Sequence, residues 1–173
     1  YALRAAVSYG EALIDDADAM SKLATKTGVT VEALSAMGYA AELSGANISV
    51  LSKSFKTLAK NANDTKDDVG EAKDAFNELG VSVTNSDGTL KDLDILMLDT
   101  AEAISKMTDE TQQAAFASDI FGRAGFELLP LLKKGKDGIK EMTDEAEKFG
   151  LVVNNEFAED AAKLNDEITK MNG

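Results

Sequence analysis

Apolar residues recur along the chain at three- and four-residue spacing, interrupted by glycines and short polar runs, which is the pattern of amphipathic helices with defined ends. Residues 2–26 place Leu3, Ala6, Val7, Leu13, Ile14, Ala17, Met20 and Ala24 on one stripe. Ala6, Leu13 and Met20 stand seven apart, as do Val7 and Ile14, so this stripe leans toward a coiled-coil seam. Gly28 stops the helix; Thr30 caps the next, with Leu34, Met37, Ala41 and Leu43 inward, and Gly45 ends it. Asn47 opens a third, carrying Val50, Leu51, Phe55, Leu58 and Ala59, which frays in the polar run 61–68. A helix over 67–79 presents Val69, Ala72, Ala75, Phe76 and Leu79 and meets Gly80. Asp92 caps a helix to Lys106 with Leu93, Leu96, Met97, Thr100, Ala103 and Ile104 inside, and Thr108 caps one holding Ala114, Ala115, Ala117, Ile120 and Phe121, closed by Gly122.

The segment Phe121-Gly122-Arg123-Ala124-Gly125 turns into a short apolar helix containing Pro130, which removes one backbone hydrogen bond and predicts a kink or weak turn. Phe121, Leu128, Leu129 and Leu132 are expected to be buried together, with Phe76 and Phe149 buried near the short strands predicted below. Helix resumes over 136–149 with Ile139, Met142, Ala146 and Phe149 inward, ending at Gly150. From Glu156, Phe157, Ala161, Leu164, Ile168 and Met171 follow at spacings of four, three, four and three. That is an a/d seam, and these residues form a candidate self-association surface.

Two stretches change period. Val81 to Thr84 and Thr89 to Lys91 alternate around the turn formers Asn85-Ser86-Asp87-Gly88, which predicts a hairpin over 81–84 and 89–91. The pattern apolar, two polar, apolar, Gly, apolar, any residue, Val occurs at 76–83 and again at 146–153, so residues 151–153 are expected to join the hairpin as a third strand. The predicted fold is mainly α, a multi-helix globular bundle with a minor two- to three-stranded sheet. It divides into a heptad-like helix over 1–27, a helical bead over 28–153 and a heptad helix over 154–173. The chain starts at Tyr1 rather than Met with periodicity already running, which reads as an excised piece of a longer protein.

Composition narrows function mostly by exclusion. The 173 residues hold 31 acids against 18 Lys and Arg, a net charge of −13, and no Cys, His or Trp. Disulfides, zinc sites and catalysis by Cys-His or Ser-His-Asp are thereby removed, and a basic stripe for nucleic acid is missing. Residues 1–62 balance six cations with six anions, so the acidity belongs to the remainder. Asp64, Asp67 and Asp68 fit no calcium-loop register and read as a turn. Arg123 reads as an arginine covering helix carbonyls rather than an anion clamp. No window is apolar enough for a membrane span. The residues support no cofactor, no metal and no enzyme.

Several of these motifs in order resemble the tail tape measure proteins of long-tailed bacteriophages and prophages. The carrying residues are Ala75 to Val83 with the turn from Asn85 to Gly88, then Phe121-Gly122-Arg123-Ala124-Gly125 with Leu129-Pro130-Leu131-Leu132, then Glu145 to Leu151. Thr27-Gly28-Val29, Leu34, Gly38-Tyr39-Ala40-Ala41 and Gly45 resemble the segment preceding them, so the likeness covers about residues 20 to 160. It implies a structural protein packed in the tail tube, whose length sets tail length, located in the virion tail after assembly in the host cytoplasm. Its implied partners are other copies of the parent chain and tail tube or assembly proteins. The competing reading is a helical interaction module of a bacterial surface or signalling protein.

Overall fold

The computed structural model describes residues 2–173, without the side chains at 2, 3, 162 and 165; Leu3, assigned above to the first stripe, is therefore outside the described side chains. Ten helices follow in order: α1 (Ala2–Asp15), α2 (Ala17–Thr27), α3 (Val31–Leu43), α4 (Ile48–Lys66), α5 (Ala72–Leu79), α6 (Leu93–Ser105), α7 (Glu110–Phe121), α8 (Ala124–Leu132), α9 (Gly135–Lys148) and α10 (Asn155–Asn172). One hydrophobic cluster runs through all of them, from Tyr9 and Leu13 to Ala158.

Local chemistry explains most helix boundaries. The hydroxyl of Thr30 accepts from the amide of Ala33 at 3.1 Å, and the side chain of Asn47 accepts from Val50 at 2.9 Å, each satisfying a donor that the first turn leaves free. The cap of α7 is Asp109, not Thr108: its carboxylate accepts from Thr111 at 2.9 Å and Gln112 at 3.4 Å, a stronger acceptor at the same turn. Asp92 precedes α6 without a side-chain cap bond.

The first predicted helix is two, broken at Asp16, and its stripe is split. Ala6, Tyr9, Leu13, Ala17 and Met20 are buried, whereas Val7 and Ile14 lie in solvent. The run 61–68 does not fray. Asn61 Nδ2 donates to the carbonyls of Asp119 and Ile120 at 3.3 and 2.9 Å, so α4 persists to Lys66 because its last turns cap the end of α7. Val69, expected inward, is exposed, since the next helix starts only at Ala72.

No strand forms among the described residues, which corrects the predicted sheet. The turn survives as a single antiparallel bridge between Thr84 and Leu90, closed by Asn85 N–H donating to Thr89 O at 2.7 Å and Lys91 N–H to Val83 O at 2.9 Å. Residues 151–153 go elsewhere: the amide of Val153 donates to Ser35 Oγ on α3 at 3.0 Å. What repeats at 76–83 and 146–153 is a helix cap. Gly80 and Gly150 adopt φ of 71° and 70°, and the following apolar residue returns its amide to the carbonyl five back, Val81 to Phe76 at 3.0 Å and Leu151 to Ala146 at 2.9 Å. This is the Schellman arrangement, whose apolar residue after glycine folds back onto the helix. The alternation in sequence reflects that closure rather than a strand.

α3 is the centre of the molecule, with its most extensive pairing to α9 and further contacts to α1, α2 and α4. Residues Leu34 to Ala41 are all buried, a burial on every side that small residues such as Ser35, Gly38, Ala40 and Ala41 permit. Around the second glycine-rich turn, Phe121, Leu128 and Leu132 are buried as expected, together with Leu131. Leu129 is only half-buried, and Phe149 is 43% exposed, held at the surface by the cap at Gly150. α8 runs through Pro130 to Leu132.

Candidate functional site

The corner where α1, α2, α3 and α10 meet brings the two predicted seams together. Tyr9 of α1 enters α3 where Gly38 leaves room: a Cβ at position 38 would lie 2.2 Å from the Tyr9 hydroxyl. The hydroxyl instead donates to the Ser35 carbonyl at 2.6 Å, and the Ser35 Oγ donates to Glu32 O while accepting from Val153. Ser35 thus ties α1 and the approach to α10 to one turn of α3.

Tyr9 and Tyr39 pack with ring centroids 5.9 Å apart, and Tyr39 meets Phe149 edge-on at 6.3 Å. Burial, with the charges of Glu42 and Asp16 secondary, pushes the Tyr9 phenol far above its ordinary value, and burial followed by Glu145 raises Tyr39. Below pH 10 both states keep the Tyr9 proton and the stability is complete. Above it the unfolded chain loses a proton that the folded chain retains, so stability falls with rising pH, by about 1.4 kcal/mol per unit for Tyr9. Urea midpoints measured from pH 9 to 11.5 are expected to show this decline, with the tyrosinate absorbance of Tyr9 appearing only on unfolding. Native-state titration of both phenols near pH 10 would contradict it.

Asn154 caps α10, accepting from Phe157 N–H at 2.9 Å. Asn155 lies beside Ala24 and Thr25, and Asp166 faces Lys22, so α10 runs back along α2 toward α1. It packs there through Ala158 and Ala161. The rest of the predicted seam faces solvent: Phe157 at 39%, Leu164 at 52%, Ile168 at 43% and Met171 at 80% exposure. Ala161 is therefore separated from the four larger residues.

The other predicted motif residues lie in and after the turn between α7 and α8. Gly122 (φ 74°) ends α7, Gly125 sets α8 against α7, and Leu129 and Pro130 occupy the outer side of α8. Arg123 is exposed and makes no ion pair or side-chain hydrogen bond among the described residues, so the expected cover over helix carbonyls is not made. In the acidic turn, Asp64 pairs with Lys60 at 3.1 Å and Asp68 pairs with Lys73. Among the described residues no group of three or more acidic side chains is arranged to hold a metal ion, and no helix is long and apolar enough to cross a membrane.

Sequence reasoning missed Gln113. Its Nε2 donates to the carbonyls of Ile104 and Met107 at 2.9 and 3.1 Å, closing the end of α6 from within α7. A polar residue at an otherwise inward position was the available signal.

A family model described as phage-related minor tail protein matches residues 1–122, from the start of α1 through the end of α7 at Gly122. No curated protein and no solved structure matches the chain.

Proposed function

We propose a tape-measure role on this premise: the chain belongs to the phage-related minor tail protein family. Membership supports a structural role in the phage tail, with tail-assembly partners and a place in the virion tail. The finer reading is a segment of a tail length tape measure protein, packed in the tail tube and helping to set tail length. The order of motifs from Ala75 to Leu151 carries it, and the family match over 1–122 supports the broader role in the phage tail. The rival reading as a surface or signalling module draws nothing from that match. No catalytic step is assigned to this segment; its partners in this reading are other copies of the parent chain and tail tube or assembly proteins.

The folded segment is a bead rather than a length of ruler, because helices ended by left-handed caps reverse the chain. Deleting its coding sequence in frame from the phage, then measuring tails by negative-stain electron microscopy, separates the alternatives. A segment straightened into helix would shorten tails by about 260 Å at 1.5 Å per residue. One that stays folded has a radius of gyration of about 16 Å and would shorten them by about 40 Å. Assembled tails of unchanged length would overturn the reading.

A further inference from the structure

We propose that the exposed face of α10 is a docking site for one amphipathic helix of a different protein, whose apolar stripe is bordered by lysine or arginine. This inference rests on the fold and not on the tape-measure reading.

Phe157, Leu164, Ile168 and Met171 recur at the spacing of one helical face, and all four are exposed although α10 is packed against α1 and α2. The helix is held by the edge of its apolar face, through the small side chains Ala158 and Ala161, which leaves the large ones outward. Four large apolar residues in line form a continuous strip of a kind that scattered surface leucines do not.

Charge selects the occupant. Asp160 stands three residues after Phe157 and four before Leu164, and Glu167 stands likewise between Leu164 and Met171, so both carboxylates border the strip on the side away from α2. Glu156 extends that border, while Lys163 and Lys170 stand further round. The helix carries five carboxylates against two lysines. A second copy meeting this face antiparallel sets Asp160 and Glu167 against the same acidic border. Meeting it parallel, the copy turns that border toward the edge already covered by α1 and α2. A cation-bordered helix buries the same apolar residues and neutralises the carboxylates.

The test uses the full chain and three fluorescent peptides of three heptads. The first has leucine at a and d and lysine at e and g; the second has glutamate at e and g; the third is the lysine peptide scrambled. The lysine peptide is expected to bind at least about tenfold more tightly than either control. Leu164→Ser with Ile168→Ser should weaken it about tenfold, with an unchanged circular dichroism spectrum, because both side chains are exposed. Asp160→Lys with Glu167→Lys should reverse the preference toward the glutamate peptide, and this variant leaves the apolar strip intact if the serine pair fails to fold. Equal binding of the scrambled peptide or indifference to the charge reversal would overturn the proposal. So would self-association of the wild-type chain, seen by light scattering and removed by the serine pair, which would identify a second copy as the occupant.

Discussion

Phe121→Ala is expected to destabilise the fold by about 3–5 kcal/mol, the cost of removing a buried aromatic ring and leaving a cavity. The ring closes α7 at 1% exposure, beside buried Ile120, where α7 packs on α4, α5 and α8. Collapse into the void is restricted because α8 is fixed against α7 four residues later, at Gly125. For a chain of this length the change should lower the melting temperature by about 10 °C. Leu129→Ala, at the half-buried outer side of α8, should cost no more than about 1–2 kcal/mol. Thermal denaturation of both variants checks the order, and equal losses would place Leu129 in the core against the structure.

Gly125→Ala is expected to do comparable damage by adding a single methyl group. A Cβ there would lie 2.2 Å from the carbonyl oxygen of Ala117 and 2.6 Å from its carbon. Those atoms belong to the backbone of α7, so no rotamer change relieves the overlap and the two helices must separate. Overpacking typically costs about 1–3 kcal/mol, and the rigid obstacle puts this site at or above the upper end. Gly150→Ala, where the position of a Cβ meets nothing within 4 Å, isolates the cost of the left-handed backbone, about 1 kcal/mol. A chemical denaturation series in which Gly125→Ala is the milder of the two would refute the close approach of α7 and α8.

Helix ends were legible because capping is local. Thr30, Asn47, Gly28, Gly80 and Gly150 act within five residues of themselves, and the structure uses each as the pattern implies. Burial was legible only where one face is buried. In α3 the run from Leu34 to Ala41 is enclosed on all sides, and a search for one stripe returns Leu34, Met37 and Ala41 but passes over Ser35 and Gly38. The strand at 151–153 failed for a related reason: a short alternating apolar run has the same appearance in a hairpin and in a cap followed by an extended segment, and only the distant partner decides. For Val153 that partner is Ser35. On α10 the seam was found by spacing, but which edge of it would be covered depended on α1 and α2, so Ala161 was grouped with residues that face the opposite environment.

The bond between Ser35 and Val153 joins residues 118 apart, and the pairing of α3 with α9 spans a similar distance. On the ribosome, α3 is therefore made long before α9 and residues 151–153, which complete its enclosure. At bacterial rates of about 5–20 residues per second, its α9-facing side waits about 6–24 s for a partner. During that interval the nascent chain carries an uncovered apolar helix with its neighbours α1, α2 and α4 already complete, a substrate for holding chaperones and a point at which crowded nascent copies can misassemble. The order of synthesis makes the arrival of residues 135–153 the event that ends this exposure.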